Sequence, residues 1–317
     1  MKLMEAYRMA VDIGIENDPR PKKEVQKVLK DAKEAYDKLE EDKKEFFDQE
    51  RLWNPYSDTR FLYGDPNTKL NELFWGIDIT PGEIAVIDRL REKGRKISGV
   101  VGHHPLGIAK VPFPQVMSMQ ADMYHSSGVP INIAEGLMIP RLTEVSRAVM
   151  ASNYNQTTDC ARLLDVPLFN IHTPADNCVQ RFLDKVFEKE NPKYVGDIVD
   201  LLMTIPEYRI ASKQNSPPEI IHGNKKGRAG KIISKMTGGT SGPKEIFEKL
   251  AHAGVGTVVG MHFPDNHIDE AKKYNINVVI AGHMPSDSIG INLIADRWEK
   301  KGVKVSPFSG VIRVSRN

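Results

Sequence analysis

The stretch from Leu73 to Pro105 reads LFWGIDITPGEIAVIDRLREKGRKISGVVGHHP. LFWGIDI is apolar almost throughout, the pattern of a strand buried on both faces. It gives way to TPGEIAVIDRLREKG, a helix with a full start signal. Thr80 is the N-cap, Pro81 the first helical residue, and Glu83 the capping-box partner three residues on. Gly94 ends the helix and ISGVVGHH is the next buried strand. Strand, helix, strand in this order predicts a parallel unit and hence an α/β fold. Pro105 cannot continue a ladder, which leaves His103 and His104 at the strand's carboxyl end, where open α/β sheets bind ligands.

The same ending recurs along the chain: LFNIHTP with His172 and Pro174, VVGMHFP with His262 and Pro264, and VIAGHMP with His283 and Pro285. A second helix–strand unit, GPKEIFEKLAHAG followed by VGTVVGMHFP, repeats the P-x-E-I start with Pro243 and Glu245 and the glycine stop with Gly254. Two related α/β halves are therefore expected, residues 61–212 and 213–317, preceded by a helical extension over residues 1–60. In that extension, residues 21–52 are dense in Lys, Glu and Asp, with Val25, Val28, Leu29, Ala32, Ala35, Tyr36 and Leu39 at helical spacing. That predicts a solvated amphipathic helix packed on the body. Residues 54–70 read as irregular, 213–231 as a flexible connection or surface loop, and the end of the chain as a last strand or hairpin.

The composition narrows the function classes. A net charge of +2 over 317 residues gives no argument for nucleic acid or an anionic membrane, and the basic run NKKGR lacks interleaved aromatics. No apolar stretch approaches the length of a membrane helix, and the first residues carry acids where an export signal would be apolar. Cys160 and Cys178 form no CxxC pair, and Cys178 reads as a buried, inert thiol. A cytoplasmic protein is the simplest expectation.

Carboxylates accompany the histidines. Asp176 follows His172 by four residues, Asp287 follows His283 by four, and His103 and His104 are adjacent. Imidazole with carboxylate suits Zn, Mn, Fe or Co better than Ca or Mg. Any one of these histidines alone would read as a hydrogen-bonded structural residue, and Asp after proline as a turn cap. The repetition is what favours a metal site. Adjacent histidines on a strand face opposite sides, so both reach one site only if the chain leaves strand geometry near Pro105 and Gly107. The glycine-rich MTGGTSGPKE at 236–245, with Lys235 and Lys244 near, lacks the spacing of a phosphate-binding Walker loop and reads as a helix-entry turn.

With HHPL, HTPADN and AGHMPSDSIG in view, the chain resembles the Nif-three-like family of dinuclear metal proteins, whose members often carry the label type 2 GTP cyclohydrolase I. The resemblance follows the motif order from about residue 73 to the end. It implies metal ligands at His103, His104, Asp176, His283 and Asp287, holding two divalent ions between the halves, with Zn, Fe, Mn, Co and Ni undistinguished. His172 is implied to orient the pocket, and His262 and His267 to lie in a looser histidine-bearing segment facing the metals. It also implies a homo-oligomer, a hexameric ring among the forms expected. Two departures stand out. Asp287 occupies the place of the family's usual Glu, so a bridge between ions requires the backbone to sit closer. The segment between HHP and HTPADN is longer than in compact members, and an extra strand and helix are expected in it.

The function expected is a dinuclear metal-dependent hydrolase acting on a small, phosphate-bearing, phosphoester or nucleotide-like substrate through an activated water. His172 and His262 would move protons or hold the leaving group. The competing expectation is a metal-binding scaffold or regulatory protein without turnover, which needs the ligands but not the surplus histidines. Purely structural histidines would bind no metal.

Overall fold

The computed structural model describes residues 1–317. Three helices come first: α1 (Leu3–Glu16), α2 (Lys22–Asp37) and α3 (Glu41–Lys44). The first half then runs β1 (Phe61–Tyr63), β2 (Glu72–Gly76), α4 (Pro81–Glu92), β3 (Ile97–Gly102), α5 (Phe113–Val116), α6 (Met119–Ser126), α7 (Ile131–Met150), α8 (Gln156–Leu163), β4 (Leu168–Asn170) and α9 (Thr173–Glu190). After α10 (Val195–Leu202) and α11 (Pro206–Lys213) come β5 (Glu219–His222), β6 (Lys231–Lys235), α12 (Ile246–His252), β7 (Val255–Gly260), α13 (Asp265–Lys273), β8 (Asn277–Ile280), α14 (His283–Glu299) and β9 (Lys304–Pro307).

Two sheets form, in the orders β1-β4-β3-β2-β9 and β5-β8-β7-β6. Apart from β9, the orders are the same. In each, three parallel strands carry an antiparallel edge strand beside the third. The repeat expected from the P-x-E-I units is thus a repeat of topology. The predicted α4 start is present: Thr80 accepts from the Gly82 amide at 3.2 Å, and Glu83 accepts from the Thr80 amide at 2.9 Å. Its counterpart α12 begins only at Ile246, so Pro243 and Glu245 form no capping box there. The last strand returns to the first sheet, where β9 runs parallel to β2.

α9 and α14 form the layer between the sheets, and each is apolar on two sides. On α9, Ala175 and Cys178 enter one core with Trp75, Phe169 and Trp298, while Val179, Leu183 and Phe187 enter another with Val259 and Val279. α14 is buried almost all round. The two helices meet backbone to backbone at Gly290, where a Cβ would stand 2.7 Å from the carbonyl carbon of Ala175. Only glycine permits that approach.

Several expectations change. The helix predicted across 21–52 stops at Asp37, and a new turn starts with Glu41 and Asp42, acids suited to a helix's positive end. α2 is indeed solvated, burying only Val25 and Ala32, whereas α1 is core: Leu3, Ala6, Tyr7, Ala10 and Val11 are fully buried. The indole of Trp298 donates to the Ala6 carbonyl at 3.1 Å. Residues 54–70 contain β1, and 213–231 contain β5 and the first residue of β6. The insertion between β3 and β4 is all helical. VPINIA looks strand-like, but Ala134, Met138 and Val145 fall on one helical face that packs into the core of the second half. No helix is long and apolar enough to cross a membrane.

Candidate metal centre

Each ligand candidate sits where a parallel strand stops. β3 ends at Gly102 and delivers His103 and His104. β4 is followed by His172, with α9 starting at Thr173, and α14 starts at His283 directly after β8. Asp176 and Asp287 stand one helical turn inside α9 and α14, on the faces carrying His172 and His283. Because α9 and α14 pack on each other, the two His-x-x-x-Asp pairs converge. The chain leaves strand geometry after Gly102 and turns through Gly107, whose φ of 50° is left-handed, so both adjacent histidines face the same pocket.

The imidazoles are oriented from behind. His103 Nδ1 lies 3.1 Å from the Ile171 carbonyl, which makes it the donor and leaves Nε2 as the acceptor. His172 Nδ1 faces Asp58 Oδ2 at 2.7 Å, and His104 Nδ1 faces Asp78 Oδ1 at 2.7 Å. In their neutral form all three rings therefore present an Nε2 lone pair to the pocket. A carboxylate behind a histidine is the usual support of a metal ligand. Asp58 also accepts from the Thr173 hydroxyl at 2.6 Å and is wholly buried.

In front of the imidazoles lie acceptors without donors. His103 Nε2, Asp176 Oδ1 and both carboxylate oxygens of Asp287 are buried and make no hydrogen bond. His103 Nε2 is 3.3 Å from Asp176 Oδ1 and 3.6 Å from Asp287 Oδ1. Asp287 Oδ2 is 3.4 Å from His283 Nε2 and 3.8 Å from His104 Nε2. His172 Nε2 is 3.7 Å from Asp176 Oδ2. These separations exceed a normal hydrogen bond. They are close to the roughly 3.0–3.4 Å between neighbouring ligands on one ion with bonds of about 2.1 Å. Uncompensated buried acceptors cost about 1–3 kcal/mol each, more when charged, so the cluster fits a cation.

Three overlapping groups of ligand atoms come within 4.8 Å of one another: His103, His104 and His172; His104, His283 and Asp287; and His103, Asp176 and Asp287. Asp287 belongs to two of them and offers one oxygen to each. The charge balance points the same way. Burial pushes the His103 imidazole down, but the carboxylates of Asp287 and Asp176 outweigh it and hold its pKa well above the ordinary value. His104 is lowered, chiefly by burial and against the pull of Asp78. Burial works to raise Asp287, yet His103, His283 and His104 hold it below the usual carboxylate range.

The structure brings together all five residues implied as ligands, with His172 among them. His262 stands at the rim, its ring 4.9 Å from that of His283. His267 is elsewhere, its ring against Phe247 at 5.8 Å. Asp58 and Asp78 are absent from the sequence reading. Asp78 lies two residues past the end of β2, just before the α4 cap, and Asp58 in a segment read as irregular. Neither carries a motif of its own.

Comparison with known proteins agrees with this geometry. The chain is similar to a NIF3 superfamily protein from Sphaerobacter thermophilus, at 29% identity and a TM-score of 0.71, over 80% of this chain and 92% of that one. Likeness to reduced HcgD from Methanocaldococcus jannaschii is weaker, at 13% identity and a TM-score of 0.49 over 78% and 87% of the two chains. Protein SA1388 from Staphylococcus aureus matches at 16% identity and a TM-score of 0.45 over 80% and 91%. Neither weaker likeness bears on function. No family model and no curated protein matches the sequence. Clustered histidines and aspartates suggest a metal site consistent with NIF3-like proteins, and the Sphaerobacter similarity supports assigning this chain to the NIF3 superfamily.

Proposed function

We propose that the chain is a dinuclear metal-dependent hydrolase of phosphoester or nucleotide-like substrates. The observation that carries this reading is the set of buried, unpartnered acceptors on His103, Asp176 and Asp287 facing imidazoles whose Nδ1 atoms are already engaged. His103, Asp176 and Asp287 would hold one divalent ion, and His104, His283 and Asp287 the other, with Asp287 shared. A pair of such ions supplies Lewis acidity and lowers the pKa of a water. His172, held by Asp58, would keep a proton acceptor aimed into the pocket. His262, exposed at the rim, would serve the leaving group. His283 and Met284, 42% and 43% exposed, leave the site open to an incoming substrate. A homo-oligomer, ring-shaped as the family resemblance implies, belongs to the same reading and is tested by light scattering.

The deciding experiment is metal analysis of purified protein beside His283→Ala and Asp287→Ala. Two transition-metal equivalents per chain, falling in both variants, support the centre. Less than one equivalent, unchanged by either substitution, removes it. With metal present, a screen of phosphoesters and nucleotides separates an enzyme from a scaffold.

A further inference from the structure

We infer that the loop after β6, residues 236–242, together with Lys235, forms an oxyanion subsite that receives the phosphate group of the substrate beside the metal centre. The inference rests on the reading of that centre as hydrolytic. Lys235 ends β6 and lines the same cleft of about 50 Å³ as His172, Asp176, His283 and Asp287, with Thr237 and Thr240 of the loop. Its ammonium donates to the Tyr124 hydroxyl at 2.9 Å and lies 5.5 Å from that ring's centre, and no carboxylate is within ion-pair distance. Burial, with Arg141 nearby, pushes its pKa down to about 7. A partly buried cation lacking a counter-charge is costly, and an anion entering the cleft would supply one.

The loop adds donors of the right kind. The carbonyls of Gly238 and Thr240 accept from the Gln120 amide at 2.5 and 2.7 Å, and that of Ser241 accepts from Arg141 Nε at 2.9 Å. The Met236 amide donates to Gln180 Oε1 at 2.8 Å, but none from Thr237 to Gly242 donates within the chain. The glycines have their own explanation, since a Cβ at 238 or 239 would stand 2.7 Å from Gln120 or 2.9 Å from Met117. They let the loop press on α5, α6 and the turn between them. The free amides and the unpaired ammonium are what packing does not explain. Lysine as a point charge beside unpaired backbone amides is a common phosphate-binding combination.

The test is calorimetric titration of inorganic phosphate into the protein, with metal content measured on the same sample, for wild type and Lys235→Met. Methionine keeps the length and removes the charge. The expected result is a loss of phosphate affinity of about tenfold or more with metal content unchanged. Equal affinity in the two proteins, with metals present in both, overturns the subsite and leaves the metal reading standing. Phosphate binding that depends on Lys235 in a chain without metal does the reverse. If Lys235→Met fails to fold, wild type is labelled by lysine acetylation with and without phosphate. Protection at Lys235 supports the subsite, and equal labelling refutes it.

Discussion

Gly290→Ala is the most telling single perturbation, because one methyl group tests whether the close helix packing is what lets Asp287 reach both candidate ligand groups. Asp287 is a methylene shorter than the residue the family resemblance leads one to expect, yet its two oxygens reach both ligand groups. The close approach of α14 to α9 at Gly290, one turn beyond Asp287 and beside Ala175, gives the physical reason. A Cβ there would stand 2.7 Å from the Ala175 carbonyl carbon, and closer to its oxygen. Relief to an ordinary contact requires the helices to part by roughly 1 Å. Overpacking of this kind costs about 1–3 kcal/mol, and alanine's better helix propensity returns up to about 1 kcal/mol. The expected net loss is about 1–2 kcal/mol, a few degrees of melting temperature. The metal centre should suffer more, because the displacement separates Asp176 from Asp287. Chelator competition should show at least about a tenfold fall in affinity, comparable to losing a residue that supports a ligand. Asp287→Glu in the same chain should restore part of it, since the longer carboxylate spans the wider gap. Gly136→Ala is the control: it is also helical, nothing lies within 4 Å of its Cβ, and it should stabilise slightly. A Gly290→Ala protein with wild-type metal content and chelator resistance would refute the argument.

Asp78→Asn should weaken metal binding by about 10-fold or more, because His104 loses the carboxylate that fixes its Nε2 toward the pocket; metal titration with the Asp78→Asn protein checks it. Stripping the metals should lower the melting temperature; at ligand a thousandfold above Kd the bound ion contributes about 4 kcal/mol, and equal melts with and without chelator would contradict it. Glu72 should set part of the acid sensitivity. Burial works to raise its pKa, but Arg95 (2.6 and 2.9 Å), Ser306 and Lys304 (3.1 Å) bring it down to about 2 from 4.5. A depressed carboxylate contributes stability that is complete above the unfolded pKa and is lost as pH falls from about 4.5 to 2. The shift sets a ceiling of about 3 kcal/mol, and the exposed partners reduce it toward 1–2. Urea melts of Glu72→Gln should be flatter across that interval than those of wild type, and parallel curves would contradict the assignment.

The parts of this molecule legible in the sequence are those written in local signals. The Thr80–Glu83 cap and the apolar runs of β3 and β7 act within a few residues, and the structure places them as read. The parts that were not legible depend on distant partners. β5 looks like loop because an exposed edge strand needs little hydrophobicity, and only β8 makes it a strand. α1 carries a helical stripe, but its full burial comes from α9 and Trp298, far along the chain.

The duplication explains which histidines matter. Laid on the common strand order, VVGHHP and VVGMHFP place His103 beside Met261 and His104 beside His262, while His172 and Asp176 correspond to His283 and Asp287. A perfectly symmetric pair of halves would give each one the same donors. Here the first half carries His103, His104, His172 and Asp176, and Asp58 of the preceding segment orients His172. The second carries His283 and Asp287, and Met261, packed on the second core, stands where the first half has His103. That asymmetry is why four similar strand ends read as equals in the sequence and divide in the fold. The two halves converge on one cluster, the first supplying most of its imidazole nitrogens and the second Asp287, the carboxylate common to two of the three groups that could hold a metal.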